Sequence, residues 1–235
     1  MAYIGKSVIG VEHPSTSALT ATTGTFTGAV GVTGNVSTTP GNVSIKAING
    51  GYTGGLLIED DGNTTKSAIT HVVGTMAISA NASADHMLIT ADGEVTMPAQ
   101  PAFQAVPASK QTDIAINTNT DVVFGTERFD VGANFASNTF TAPVTGKYQL
   151  SVSIRFEQVD SAALYYLIDI VTSNKTYQQL FDPDFGQDAA FWMVTMSHIC
   201  DMDASDTAKI NYHQASGTQQ TDIAVESVFS GALIC

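Results

Sequence analysis

The 235-residue sequence predicts an all-β protein, with a C-terminal β-sandwich on an extended, β-rich stalk. Between Tyr148 and Phe156, apolar residues alternate with polar ones, which is the period of a strand with one face in a core. Many short strand-like runs separated by polar turns indicate a sandwich or jelly roll. Residues 15–50 show no helical period of apolar residues, which agrees with the all-β prediction.

The composition excludes several classes of partner. Only 13% of the residues are charged, against about 25% in typical domains. The formal net charge is −13, which argues against nucleic acid and against anionic lipid as partners. No run of 18 apolar residues is present, so we expect no membrane insertion.

The character of the chain changes near Pro98–Pro101, where two prolines three residues apart predict a stiff, extended connection. Residues 21–50 are rich in Thr and Gly, with too few large apolar side chains for a core of their own. They are either a flexible linker or a stalk in which identical chains share a thin core. Residues 51–98 predict a small β-module, and residues 99–235 predict a separate head.

Four strands are predicted in the β-module, and a hairpin turn is predicted at Asp92–Gly93 before the strand-like run that leads into Pro98. The four strands are Leu56–Ile58, Ser67–Val73, Met76–Ile78 and His86–Thr90.

In the head, the runs Ala163–Val171 and Phe191–Cys200 are apolar on both faces, which favours inner strands of a sandwich. Ala208–His213 alternates like Tyr148–Phe156, and Val225–Cys235 is predicted to close the domain. Cys200 and Cys235 are interpreted as small hydrophobic residues, with a bond between them left open.

Aromatic residues between Phe124 and Leu150 follow an ordered spacing. Five residues separate Phe140 from Gly146, and Tyr148 stands two positions after Gly146. The chain ends in a run that contains Phe229 and Gly231. The full set of signature positions is Phe124, Phe129, Asp130, Phe135, Phe140, Gly146, Tyr148, Phe229 and Gly231.

This spacing resembles the signature of C1q-like domains, the trimeric jelly-roll heads related to the tumour-necrosis-factor fold. The resemblance covers about residues 101–235, with a shortened gap before Phe140 and with Leu150 and Ala232 in place of usual phenylalanines. It implies a C1q/TNF-like jelly-roll sandwich, a homotrimer and a binding head. The spaced aromatics would supply buried area for the core and for a subunit interface, and Gly146 would permit a tight turn.

The layout of the whole chain resembles the tail or head fibres of bacteriophages. Residues 1–6 lack the start of a secretory signal, and a Thr/Gly-rich segment stands in place of a collagen-like stalk. The run Ile89–Phe103 is similar to the junction of stalk and head in such fibres. The resemblance implies that residues 1–20, with Tyr3, Ile4 and Gly5, anchor the chain to other virion proteins. It implies a fibre on the virion surface, assembled in the host cytoplasm, whose head meets a host receptor, either a glycan or a protein.

Two acidic loops are the candidate sites. Asp182, Asp184, Phe185 and Asp188 form a candidate binding loop, in which the exposed aromatic residue could stack on a sugar or a protein. The alternative is that Phe185 plugs the core under the loop.

The second loop carries Asp201, Asp203 and Asp206, whose spacing suits a hard cation such as Ca²⁺. The alternative is that both loops are simply solvated.

No Cys/His metal motif, nucleophile motif or phosphate loop occurs, so we expect no enzyme and no other cofactor. A trimeric decoration or capping protein without a receptor is the main alternative function, followed by a secreted C1q-like ligand.

Overall fold

A computed structural model describes residues 54–59, 66–72, 74–79 and 86–235, all of which belong to one compact unit. The predicted anchor, with Tyr3, Ile4 and Gly5, and the predicted stalk lie outside the described residues. The described residues contain seventeen strands and no helix, so the all-β prediction is confirmed for this part of the chain. They include no helix that could cross a membrane.

The first five strands form an antiparallel sheet in which each strand pairs with the next along the chain. The first four coincide with the four predicted strands. Gly93 adopts a φ of +92°, and its N–H donates to the carbonyl of Thr90 at 3.1 Å, which closes the predicted turn before the short fifth strand. The strands are β1 (Gly54–Glu59), β2 (Lys66–Val72), β3 (Thr75–Ser79), β4 (Met87–Ile89) and β5 (Val95–Thr96).

The other twelve strands form the head. They are β6 (Ala102–Val106), β7 (Thr120–Asp121), β8 (Thr126–Asp130), β9 (Phe135–Ala136), β10 (Thr139–Thr141), β11 (Gly146–Val159), β12 (Tyr165–Thr172), β13 (Thr176–Phe181), β14 (Ala189–Met202), β15 (Thr207–Ala215), β16 (Asp222–Ile223) and β17 (Val228–Leu233).

These strands form two antiparallel sheets that pack face to face. The front sheet has the order β14-β11-β17-β6-β8, with β16 beside β11, and the back sheet has the order β13-β12-β15-β10-β9, with β7 beside β15. The chain crosses repeatedly between the two sheets. Strands β6, β11, β14 and β17 lie in the front sheet, and between them the chain forms β10, the pair β12 and β13, and β15 in the back sheet. Eight strands that alternate between two sheets in this way form a jelly roll.

The alternation in the sequence becomes the core. Along β11 the residues from Tyr148 to Phe156 that were predicted to face inward are all buried, and the polar residues between them face outward. Tyr166, Ile168 and Ile170 of β12 oppose them from the back sheet. Each such side chain contributes about 1.5–3 kcal/mol when it is fully removed from water.

The aromatic signature forms one end of this core. The ring of Phe103 stacks on Phe140 at 4.7 Å and on Phe135 at 5.0 Å between centroids, and it meets Phe229 edge to face at 5.0 Å. Phe129, by contrast, is 49% exposed on β8 and is not part of the core. The aromatic spacing therefore marks core positions at every signature phenylalanine but this one.

The polar signature residues fasten the loop and strands around this cluster. The Asp130 carboxylate accepts hydrogen bonds from the N–H groups of Asn134 at 3.0 Å and Phe135 at 2.8 Å. The Tyr148 hydroxyl donates to the carbonyl of Val144 at 2.8 Å. Both interactions pull turns against the strands that carry the aromatic residues.

The two signature glycines are required by close approach of strands. A Cβ on Gly146 would lie 2.6 Å from Leu233 Cδ1, so the role predicted for this glycine, a tight turn, is replaced by contact with the C-terminal strand. A Cβ on Gly231 would lie 2.6 Å from both Leu150 Cδ2 and Phe103 Cε1. A larger residue at either position would force these side chains to shift, and at Gly146 also the carbonyl of Cys235.

Two predicted strands need correction, and one strand was not predicted. β14 contains the predicted inner strand Phe191–Cys200, but it lies at the edge of the front sheet, and much of its apolar surface is exposed. β13 was not predicted, and the last strand is shorter than Val225–Cys235. Cys200 is buried and Cys235 exposed, and both thiols are free.

Candidate functional site

The sandwich has two distinct ends. The chain enters β6 and leaves β17 at one end, where the N–H of Lys147 donates to the carbonyl of Cys235 at 2.7 Å; we call this the entry end. The opposite end, the loop end, is formed by the loops 160–164, 182–188 and 216–221. The candidate loop Asp182–Asp188 lies at the loop end. The loop that carries Asp201, Asp203 and Asp206 lies at the entry end.

A buried carboxylate organises the loop end. Asp160, only 1% exposed, accepts hydrogen bonds from the N–H of Ala162 at 2.8 Å, from the N–H of Gln219 at 2.7 Å and from the N–H of Thr218. Its own N–H donates to the Tyr166 hydroxyl at 2.9 Å. Burial raises the pKa of Asp160, but the N–H donors outweigh burial and hold the pKa below its usual value. Asp160 therefore ties loop 216–221 to loop 160–164.

A second buried carboxylate, Asp222, fixes the neighbouring segment. It accepts from the Lys110 ammonium at 2.7 Å, from the N–H of Asp113 at 2.9 Å and from the Gln158 amide at 3.0 Å. Burial opposes ionisation, yet the hydrogen bond from Lys110 and the others keep the pKa of Asp222 below its usual value. Asp222 thereby ties β16 to the segment 110–113 and to Gln158 of β11.

The acidic candidate loop is braced partly by its own carboxylates. The Asp188 carboxylate accepts from the N–H of Ser161 at 2.9 Å and from its hydroxyl at 2.7 Å. Asp182 accepts from the N–H of Asp184 at 3.2 Å. All three carboxyl-bearing residues are exposed, so they place negative charge at the surface of the loop end.

A series of contacting aromatic rings runs from the core to this loop. Tyr166 stacks on Phe181 at 4.8 Å, Phe181 lies 6.2 Å from Trp192, and Trp192 lies 4.8 Å from Phe185 between centroids. The two outermost rings stay accessible, at 37% exposure for Phe185 and 41% for Trp192. Phe185 is thus neither a core plug nor an isolated ring, because it forms a half-exposed pair with Trp192.

The second acidic loop is arranged differently. The Lys147 ammonium pairs with Asp201, while the Asp206 carboxylate accepts from the N–H of Asp203 at 2.8 Å and from the Asn174 amide at 2.6 Å. Within the described residues, no three His, Cys, Asp or Glu side chains are grouped so that they could hold a metal ion. The structure does not bring Asp201, Asp203 and Asp206 together as calcium ligands.

The outer face of the front sheet is a third candidate surface. Phe191 and Ile199 of β14 are 61% and 60% exposed, and Met193 stands out between them. The Arg155 guanidinium lies 4.9 Å from the Phe191 ring centroid and 2.6 Å from the Glu226 carboxylate. Large exposed side chains on a sheet face are typical of a protein interface.

The residues that organise the loop end could not be recognised in the sequence. Asp160 and Asp222 bond to groups 58 and 112 residues away, and nothing in their local sequence marks them as buried. The sequence indicated only that Trp192 follows the acidic loop closely, and it gave no sign of the contact with Phe185.

No protein-family model matches the sequence, and no curated protein matches it either. Among solved structures the chain is similar to the globular domain of the zebrafish complement 1qA protein, with 17% identity, 58% of this chain and 98% of that chain covered, and a TM-score of 0.44. It is also similar to murine APRIL at pH 8.5, with 10% identity, 57% and 99% covered, and a TM-score of 0.42. By its own strand order, the head is a jelly-roll sandwich.

Proposed function

We propose that this chain is a structural component of a phage virion: a homotrimeric fibre, of the tail or the head, whose distal C1q-like head attaches to the host surface. The observation that carries the proposal is the polarity of the head. The chain enters and leaves at one end, and the acidic loop 182–188, which carries Phe185, lies at the other. A head mounted at its entry end on a virion would present these loops to a cell. In this proposal the protein binds and does not catalyse.

The homotrimer is supported by the front-sheet face. Phe191, Met193 and Ile199 stand exposed on an edge strand, beside a row of small polar side chains such as Ser151 and Ser197. An apolar edge next to a smooth small-residue face can pack against the corresponding face of an identical copy. Three copies would point three loop ends in the same direction, so that weak contacts would add up by multivalency.

Attachment is tested with the purified full chain and cells of the host on which a phage carrying this fibre grows. We expect saturable binding that Phe185→Ala weakens and that Phe129→Ala, which removes an exposed ring elsewhere on the head, leaves unchanged. Equal binding by wild type and the Phe185 variant would move the attachment surface away from the loop end. Removal of residues 1–20 should abolish incorporation of the chain into virions, and undiminished incorporation would refute the anchor.

Trimerisation is tested by light scattering after size-exclusion chromatography. We expect three copies for the wild-type chain and dissociation for Ile199→Asp, because a charge would be buried in the interface. Leu180→Asp, at an exposed position on the back sheet, is the matched control and should remain trimeric. A monomeric wild-type chain, or an Ile199 variant that remains trimeric, would contradict this interface.

The second candidate function is a decoration or capping protein without a receptor. The same front-sheet face favours it, since trimerisation needs no ligand at the loop end. A trimer that enters virions but binds no host cells would support this alternative.

A further inference from the structure

The loop end combines two accessible rings with uncompensated negative charge. Phe185 and Trp192 lie 4.8 Å apart and are tilted by 36°, so they offer a small apolar platform. The same loop carries Asp182, Asp184 and Asp188. Among the described residues, none of these three carboxylates forms an ion pair with a Lys or Arg.

Elsewhere on the head, two aromatic rings each lie beneath a cation of the chain itself. Arg155 lies over Phe191 at 4.9 Å, and the Lys175 ammonium lies over Tyr177 at 5.1 Å. Within the described part of the chain, no such cation lies over the Phe185–Trp192 pair. The pair therefore has no cation of the chain on its ring faces, and the neighbouring carboxylates accept hydrogen bonds within the loop end but form no ion pair.

We propose that the Phe185–Trp192 platform binds an amine-bearing saccharide, which deepens and rests on the proposed attachment to a host surface. The C–H face of a sugar ring would pack on the two aromatic rings, and the ammonium substituent would lie between the platform and the loop carboxylates. Positive charge is drawn both to ring faces and to carboxylates, so the two groups select the same ligand chemistry.

Charge complementarity argues against the other occupants. A second copy that docked through its own loop end would oppose three carboxylates with three more. An anionic lipid surface would be repelled by a chain of net charge −13. A cationic protein segment shares the ammonium group but lacks the flat ring face, so it is a separate arm of the test.

The chain contains a single tryptophan, so the fluorescence of Trp192 reports on the platform alone. The full-length chain is titrated with a glucosamine trisaccharide and, as the matched neutral probe, with the N-acetylglucosamine trisaccharide. We expect a saturable change for the amine form, at least about tenfold weaker binding of the acetylated form, and weakening of the amine form as salt rises.

Phe185→Ala and Asp184→Asn should each weaken binding of the amine form about fivefold to tenfold. The controls are Phe129→Ala and Asp92→Asn, which remove an exposed ring and an exposed carboxylate elsewhere and should leave the affinity unchanged. These four variants separate the platform from general effects of aromatic content and net charge.

Several outcomes would overturn the inference. The first is the absence of a saturable change in Trp192 fluorescence, and the second is equal affinity for both trisaccharides. The third is tighter binding of a Lys-Gly-Lys peptide than of the amine sugar. The fourth is quenching of Trp192 by acrylamide only after the assembly dissociates. The last result would mean that a second copy covers the platform. A chain that binds host cells but not the amine probe would refute this inference and leave the proposed attachment standing. A chain that binds the probe but no cells would do the reverse.

Discussion

Replacing Asp160 by Asn isolates the carboxylate that organises the loop end. The carboxylate accepts the N–H of Ala162 on one oxygen and those of Thr218 and Gln219 on the other. An amide must turn its NH₂ group towards at least one of these donors. A hydrogen bond to a charged acceptor is worth about 1.5–3 kcal/mol, and a stranded buried donor costs about 1–3 kcal/mol. We expect the free energy of unfolding to fall by about 2–4 kcal/mol.

The sign of the pH dependence follows from the lowered pKa of Asp160. A carboxyl whose pKa is lower in the folded protein than in the unfolded chain stabilises the fold above its unfolded value, which is about 3.9. This stabilisation is lost as the pH falls through the folded value. The difference between wild type and Asp160→Asn should therefore be largest at neutral pH and should shrink below about pH 4.

Urea unfolding of the two proteins at a series of pH values tests both statements. Asp184→Asn, at an exposed position of the same loop end, is the control and should change the unfolding free energy by less than about 0.5 kcal/mol. The reasoning is refuted if Asp160→Asn costs no more than this control at neutral pH. It is equally refuted if the difference between wild type and Asp160→Asn persists undiminished in acid.

Three further predictions concern the core and the thiols. Phe140→Ala should lower the unfolding free energy by about 3–5 kcal/mol, because its ring is fully buried. Phe129→Ala should cost far less, and equal costs in urea unfolding would contradict the assignment of the core. Gly231→Ala should destabilise the head by about 1–3 kcal/mol, since a Cβ would lie 2.6 Å from two core side chains; a variant as stable as wild type would refute this contact. Cys235 should react with a thiol reagent in the folded protein and Cys200 only after unfolding, because burial raises the pKa of the Cys200 thiol; two fast-reacting thiols would contradict this.

The prediction of the fold succeeded where local pattern and burial coincide. The alternation from Tyr148 to Phe156 places the same side chains in the core as the structure does, since a strand's period of two depends only on the local backbone. The same reasoning failed for Phe191–Cys200. Periodicity reports that a strand is apolar on both faces, but not whether its second face meets another strand or an open surface.

The candidate site was predicted in its residues but not in its geometry. The acidic run with Phe185 and the nearby Trp192 could be read from composition and order. Their pairing at 4.8 Å depends on the loop between β13 and β14, and β13 was not predicted. The structure does not support a calcium site at Asp201, Asp203 and Asp206. The spacing of carboxylates along a loop does not determine where the carboxylates point. Asp206 instead bonds to Asp203 N–H and to Asn174.

The sequence by itself determined that the chain is β-rich, that its character changes at Pro98–Pro101, and that the C-terminal part is a β-sandwich or jelly roll with spaced aromatics. These properties follow from side-chain periodicity and from residue types with strong backbone preferences. Only the tertiary structure decided which acidic loop lies opposite the chain entry, which apolar strand forms an edge, and that Asp160 is buried. Those properties depend on contacts between residues far apart in the chain, and such contacts cannot be recognised from the local sequence pattern.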